Sequence, residues 1–489
     1  MATLIKNGLL YDGTGHPPIK ADVLFRGGKI EKIGTIPPRE ARVVVDAMGG
    51  IVTPGFIDIG VRMDDYQIIF SDRHASSLLA RGITTVIGGA YGESLAPFSA
   101  ACVNKKLHFR CTHPASRDWG ETGEFFEFLE RYRPPLNFGS LAGYHTVRNC
   151  TVRNLEGDPD REEQKAIFRA LSEALDAGAF GVSFDMRAPH ALLMPKRMFA
   201  EIAELVGTRG GILFITAEEG VSSGKTILDA HALSEKRGVS VEIGRLSASS
   251  SEETEEFAKA LAKLEKKKST VAVHFDVGIE GEWREEPFVK LFPAWAREKS
   301  MEAMLAPMRL ASHRARLASH FAASLPTGTL IGEVPSNLSF LRGKSLSAVA
   351  ENHGKSPSET FVRLLLLSGL EGTCMIPEGA NIGFLASALR SPLSLVSSHC
   401  ASPYGEPKSL IFSAEGTGYP LENLVSKNTF RPAKKFRIPK RGLIKEGYFA
   451  DIAVFGADAR PARVFVNGNC AYADGGIAPS RAGHVLRRA

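Results

Sequence analysis

At 489 residues the chain is too long for one small core and suits a large barrel of ~250 residues or more with an accessory domain. Hydrophobic residues at 44% and charged residues at 23% exclude extensive disorder. The net charge is +6 and the runs Lys266-Lys267-Lys268 and Lys434-Lys435 are short and far apart, so nothing supports nucleic-acid binding; no apolar run reaches the ~18 residues of a membrane span.

The opening residues Met1-Ala2-Thr3-Leu4-Ile5-Lys6 carry no apolar signal segment, and a cytoplasmic location is the expectation. Residues 1–53 read as short strands, Thr3-Leu4-Ile5, Val23-Leu24-Phe25, Lys29-Ile30-Glu31-Lys32-Ile33 and Val43-Val44-Val45. Turn signals at Asn7-Gly8, Gly27-Gly28 and Pro37-Pro38 separate them. From 54 to 439 short apolar runs alternate with longer amphipathic stretches, the pattern of parallel strands and crossover helices. Eight strands are predicted, at 55–59, 84–88, 137–142, 179–184, 212–216, 240–244, 270–275 and 393–397, which makes an α/β fold of the (β/α)8 barrel type.

The even spacing breaks between 279 and 370, too long for one crossover. An inserted segment at about 279–341 is expected there, lying over the barrel mouth. Glu252 to Lys268, rich in Glu, Lys and Ala, reads as a helix with a solvated face. Residues 440–489 return to strands and turns, with Asp451-Ile452-Ala453-Val454-Phe455, Arg463-Val464-Phe465-Val466 and the pair Asn467-Gly468. Together with 1–53 they are expected to build one composite β-sandwich. The six cysteines show no Cys-x-x-Cys spacing, so reduced, mostly buried thiols are expected.

Several blocks carry a resemblance. Val52-Thr53-Pro54-Gly55-Phe56-Ile57-Asp58 resembles the segment that opens the barrel in the amidohydrolase superfamily. Gly82-Ile83-Thr84-Thr85-Val86, Gly92-Glu93-Ser94-Leu95-Ala96-Pro97 and Gly178-Ala179-Phe180-Gly181-Val182-Ser183 resemble its D-aminoacylase (N-acyl-D-amino-acid deacylase) branch. So do Lys445-Glu446-Gly447-Tyr448-Phe449-Ala450-Asp451-Ile452 and the tail His484-Val485-Leu486-Arg487-Arg488. The blocks run the length of the chain in the family's order. The resemblance implies a metal-dependent hydrolase barrel acting on carbon–nitrogen bonds, with a small β domain.

It also implies where metal ligands would stand, and this chain departs from the pattern at each place. The His-x-His and acid after the first strand become Gly60, Arg62 and Asp64. The cysteine after the second becomes Tyr91, the fifth-strand histidine Thr216, and the sixth-strand histidine Arg245; the eighth-strand aspartate becomes His399. Glycine supplies no ligand, and a guanidinium stays protonated with no lone pair to offer. No cofactor and no metal ligand are therefore expected, zinc in a rebuilt site being the alternative, with His274, Asp276, Glu218, Glu219, His399 and Cys400 as the residues suited to it.

The resulting expectation is a catalytically degenerate D-aminoacylase homologue with a binding, regulatory or scaffolding role. The alternative is a hydrolase of amide or cyclic amide bonds with a reorganised or metal-free site, His399 serving as its proton acceptor. Arg62 and Arg245, joined by Tyr91, Asp64, Glu218 and His274, are the candidate ligand-binding residues, and two arginines at the mouth favour a small anionic ligand. Self-association or a protein partner fits the same role.

Overall fold

The computed structural model describes residues 2–61, 68–70, 72–98, 119–154, 158–186, 191, 194–218, 221–248, 250–266, 273–278, 284–298, 301–377, 381–398, 417–456, 460–473, 475–478 and 481–488. The chain opens with strands β1 (Ala2–Leu10), β2 (Ile19–Arg26), β3 (Lys29–Gly34), β4 (Val43–Asp46) and β5 (Ile51–Pro54). The β2–β3 hairpin turns through Gly27 and Gly28 at φ +58° and +80°, a left-handed pair that glycine adopts without a Cβ penalty.

The next strands are β6 (Phe56–Asp58), β7 (Ile83–Gly88), β8 (Asn137–Ser140), β9 (Ala142–Gly143), β10 (Gly181–Phe184), β11 (Ile212–Thr216), β12 (Ser240–Gly244) and β13 (Val273–Gly278). Every pairing among them is parallel. β8 and β9 act as one strand interrupted at Leu141, whose N–H donates to Gly88 O at 2.9 Å.

A second compact unit, within Gly281–Ala380, comes next. It holds the antiparallel strands β14 (Arg284–Pro287), β15 (Leu330–Ile331) and β16 (Thr373–Ile376). The helices Ala311–Ser324 and Pro357–Leu367 complete a core of its own around Phe288, Met308, Phe321 and Phe361.

The barrel resumes with β17 (Ser394–Ser397), parallel to β13. The last strand reaches the first through Asp58, buried at the end of β6. Its carboxylate accepts Ser397 Oγ at 2.6 Å and Ser398 N at 3.1 Å.

Side-chain alternation sorts the barrel into two layers. Val241 and Ile243 of β12, with Val273, Phe275 and Val277 of β13, pack outward on helix residues such as Ile227, Phe257 and Leu261. Ile57, Ile87, Phe180, Ile212, Phe214 and Leu395 form a separate inner cluster, joined at the floor by Ala433, Phe436 and Ile438. The helix Ser251–Glu265 buries Phe257, Ala260, Leu261 and Leu264, the i, i+3, i+4, i+7 stripe within the Glu- and Lys-rich segment. Ser250 caps it by accepting Glu253 N, a contact worth about 1 kcal/mol.

The seventh strand corrects the sequence expectation. It is described from Val273 to Gly278 and so runs past the expected end at 275, with His274 and Asp276 inside the strand and not after it; residues 270–272 lie outside the described residues. The cause is the pattern Val-His-Phe-Asp-Val, which alternates apolar residues toward the helices with polar ones into the barrel.

The chain closes with β18 (Ile452–Phe455), β19 (Pro461–Val466), β20 (Asn469–Ala473) and β21 (Gly476–Ile477). They continue one sheet in the order β21-β20-β19-β18-β5-β1-β2-β3, with β4 also on β1. Its join is the antiparallel pair β18–β5, Val454 opposite Val52. Ile5, Val23, Phe25, Val52, Ile452 and Phe465 make the core on one face. Among the described residues no helix is long and apolar enough to cross a membrane. Cys374 and Cys470 are free thiols, whereas Cys150 is disulfide-bonded, a departure from the expectation of reduced thiols throughout.

Candidate functional site

Parallel strands bring their C-terminal ends to one end of a barrel, and ligand-handling residues sit there because the connecting loops diverge from that end. Gly60, Tyr91, Thr216 and Arg245 all stand at these strand ends, as the sequence placed them. Tyr91 is the centre. It comes after Gly89 and precedes Gly92, which take φ +73° and +81°, and is itself left-handed at φ +58°. Gly89 cannot be replaced, since a Cβ there would meet Leu141 O at 2.0 Å. This tight turn drives the tyrosine ring inward.

The ring is 4% exposed, and its hydroxyl donates to Gly60 O at 3.2 Å. Its edge packs on Phe214 of β11, centroids 5.5 Å apart. A Cβ on Gly244 of β12 would stand 3.3 Å from the same ring. One phenol thus touches the backbone just beyond the first strand and the ends of the fifth and sixth.

The neighbouring polar groups are committed to one another. Thr216 Oγ1 donates to Asp185 Oδ1 at 3.1 Å and accepts Met186 N at 2.9 Å. Ser183 Oγ accepts Gly92 N at 2.9 Å and donates to Gly89 O. Arg245, left-handed at φ +61° and half-buried, donates its backbone N–H to Asp276 Oδ1 at 3.0 Å. Glu218 is exposed, two residues beyond the end of β11. Arg62, Asp64 and His399 lie outside the described residues, as do Glu219 and Cys400.

His274 does not join the mouth. It lies two residues before Asp276, roughly 6–7 Å deeper along the strand. There its Nδ1 takes a hydrogen bond from Lys435 Nζ at 3.3 Å, which puts the ring proton on Nε2. Burial, reinforced by the Lys435 charge, pushes its pKa down to about 3.

Lys435 also donates to Ser240 Oγ at 2.9 Å and Val241 O at 2.7 Å, and faces Glu242 Oε2 at 3.9 Å. Glu242 is 0% exposed, and burial raises its pKa well above the ordinary carboxyl range, Asp276 adding to the rise. Burial likewise lowers Lys435 to about 8. Both members of the pair are driven toward their neutral forms. Sequence reasoning missed Glu242, Asp185 and Lys435; a lone acid at the midpoint of an apolar strand was the available signal for Glu242.

Among the described residues no three His, Cys, Asp or Glu side chains gather closely enough to hold a metal ion.

The fold is thus an eight-stranded parallel barrel carrying a β sheet built from residues before and after it, with the candidate site at the strand ends. The chain is similar to D-aminoacylases in sequence and in fold. The D-aminoacylase of Alcaligenes xylosoxydans xylosoxydans is 25% identical over 457 residues, 92% of this chain and 87% of that one. The N-acyl-D-glutamate deacylase of the same organism is 30% identical over 210 residues, 43% of this chain and 42% of that one. The crystal structure of N-acyl-D-glutamate deacylase from Bordetella bronchiseptica, complexed with zinc and a phosphonate inhibitor, superposes with a TM-score of 0.77 at 22% identity over 99% of both chains. No family model matches the chain.

Proposed function

We propose that this D-aminoacylase-like chain has lost metal-dependent deacylation and acts as a binding, regulatory or scaffolding protein, with a small anion at Arg245 as its ligand. The observation that carries this reading is the buried Tyr91 side chain, which stands at the cysteine position and packs against Gly60, Phe214 and Gly244.

A catalytic zinc needs about three protein ligands within ~2.0–2.3 Å. The described residues at the corresponding positions do not fit one. Gly60 has no side chain, Thr216 offers a hydroxyl already bonded to Asp185, and Arg245 offers a cation. Tyr91 offers a phenol that donates its proton to a carbonyl. Neutral hydroxyls are poor ligands, and a fixed positive charge repels the ion.

Elemental analysis of the purified protein, paired with assays on N-acyl-D-amino acids with and without added zinc, tests the reading. We expect no stoichiometric zinc and no metal-stimulated release of amino acid. One equivalent of zinc per chain, with activity lost on chelation and regained on adding metal, overturns it.

A further inference from the structure

The end of the barrel opposite the mouth holds a feature of its own. The Phe430–Lys435 helix and the turn after it plug the floor, Ala433, Phe436 and Ile438 packing in the inner cluster with Ile212 and Leu395. Beside this plug lies a partly open cavity of about 20 Å3, lined by Phe180, Ile212, Ser240, Lys435, Arg437 and Arg488 among others. A water needs about 10–15 Å3, so the space takes one or two water-sized atoms.

Three of the lining residues are cations, and two of them, Lys435 and Arg488, are held in place by hydrogen bonds. Lys435, its side chain 2% exposed, spends its three N–H groups on Ser240 Oγ, Val241 O and His274 Nδ1, so it lends the cavity charge but no free donor. Arg488 donates to Leu175 O at 2.7 Å, to Ala179 O at 3.1 Å and to Arg209 O, all neutral oxygens that orient the guanidinium without cancelling its charge. Arg437 makes no ion pair among the described residues, and its NH1 lies 3.2 Å from where a Cβ on Gly210 would stand. A fourth cation, Arg209, is spent on Asp176 at 3.0 Å. The other acid nearby, Glu242, faces Lys435 from inside the barrel and is driven toward its neutral form by burial.

The positive charge around the cavity therefore exceeds the negative. Burial and the neighbouring Arg437 and Arg209 lower the pKa of Arg488, while Asp176 opposes the shift. An anion in the cavity would relieve that repulsion.

We propose that this cavity binds a small anion, a halide or a single oxygen of inorganic phosphate, between the Arg437 and Arg488 guanidinium groups beside the Ser240 hydroxyl. Charge-assisted contacts to the anchored Arg488 and to Arg437 supply the affinity, and the size of the cavity selects the ligand. The site is separate from the mouth and from any ligand at Arg245.

Thermal unfolding is followed while sodium chloride, or sodium phosphate at fixed pH, replaces sodium gluconate at constant ionic strength. A saturable rise in Tm is expected. Saturation with chloride alone assigns a monatomic anion, and saturation with phosphate assigns an oxyanion. Arg437→Gln alters an exposed side chain, so the fold tolerates it, and it should weaken the apparent Kd at least tenfold. Arg245→Gln, at the other end of the barrel, should leave the Kd unchanged. A Tm that follows ionic strength alone, a saturable response that survives Arg437→Gln, or one that disappears in Arg245→Gln overturns the proposal.

Discussion

Tyr91 sets two energies against each other. A left-handed backbone costs a non-glycine residue about 1–2 kcal/mol, whereas truncating a buried aromatic costs about 3–5 kcal/mol. Packing wins, which is why a bulky residue persists at φ +58°. Tyr91→Gly relieves the strain but removes the buried ring, so a net loss of roughly 2–3 kcal/mol is expected from urea unfolding. Tyr91→Phe removes only the bond to Gly60 O and should cost about 1 kcal/mol. If glycine proves the milder change, the ring is not packed against Gly60 and Phe214. His274 provides a test by pH. Its folded pKa of about 3 lies below its ordinary value near 6.5, because burial and Lys435 disfavour the imidazolium. Between pH 6.5 and 3 the unfolded chain binds the additional proton. The stability that the neutral ring contributes is thus present above pH 6.5 and is lost as pH falls toward 3. Glu242, with its raised pKa, works in the opposite direction, so the informative quantity is the difference between wild type and His274→Asn. That difference should change by a few kcal/mol across the window; a difference that stays constant from pH 7 to 4 would place a solvated histidine there.

Elements of this fold are tied together through a few buried polar nodes. Asp451, just before β18, accepts Arg441, Asn137 Nδ2 at 3.1 Å and Asn467 N at 2.8 Å. Asn137 of β8 in turn accepts Asn467 Nδ2 at 2.8 Å and His484 N at 3.0 Å. One carboxylate thereby links the barrel, the sheet and the C-terminal tail. Removing one member of a buried pair strands the other, so Asp451→Ala should cost about 3–5 kcal/mol. It should also speed proteolytic trimming of residues 484–488. The exposed pair Arg169–Glu173 serves as the control, and Arg169→Ala should leave the unfolding midpoint unchanged. A trimming rate that Asp451→Ala leaves unaltered would remove the tail from this node. At this scale the sequence was most readable, since strand alternation and turn signals are local. The seventh strand outruns its expected end at 275 because Asp276, a residue disfavoured in strands, breaks the apolar run although its side chain turns into the barrel. Lys434 and Lys435 looked alike as a charge run, yet helical rotation exposes the first and buries the second against Ser240 and Glu242. No local pattern reports which neighbour a side chain will meet from a distant part of the chain. For that reason the positions of the mouth residues were legible through family motifs, while the inward turn of Tyr91 and the Lys435–Glu242 pair were not.

Across the barrel and its sheet, described side chains pack at both ends of the barrel: Tyr91 against Gly60 and Phe214 at the C-terminal strand ends, and Ala433, Phe436 and Ile438 at the floor. Polar groups run through the barrel from Asp276 to Glu242 to Lys435, each charge offset by a neighbour or displaced toward neutrality. The sheet that borders the barrel draws on both ends of the sequence, β5 pairing with β18. That pairing has a consequence during translation. At about 5–20 residues per second, roughly 400 residues and some 20–80 s separate the emergence of β5 from that of its partner. Throughout that interval β5 presents an open edge of backbone N–H and C=O groups beside the apolar side chains Val52 and Val23, the exposure that invites pairing with other nascent chains. The barrel strands meet neighbours close in sequence and can assemble first; the sheet, with its long loop to close, completes last. The early strands of this protein are therefore the stretch of chain most in need of a chaperone on the ribosome.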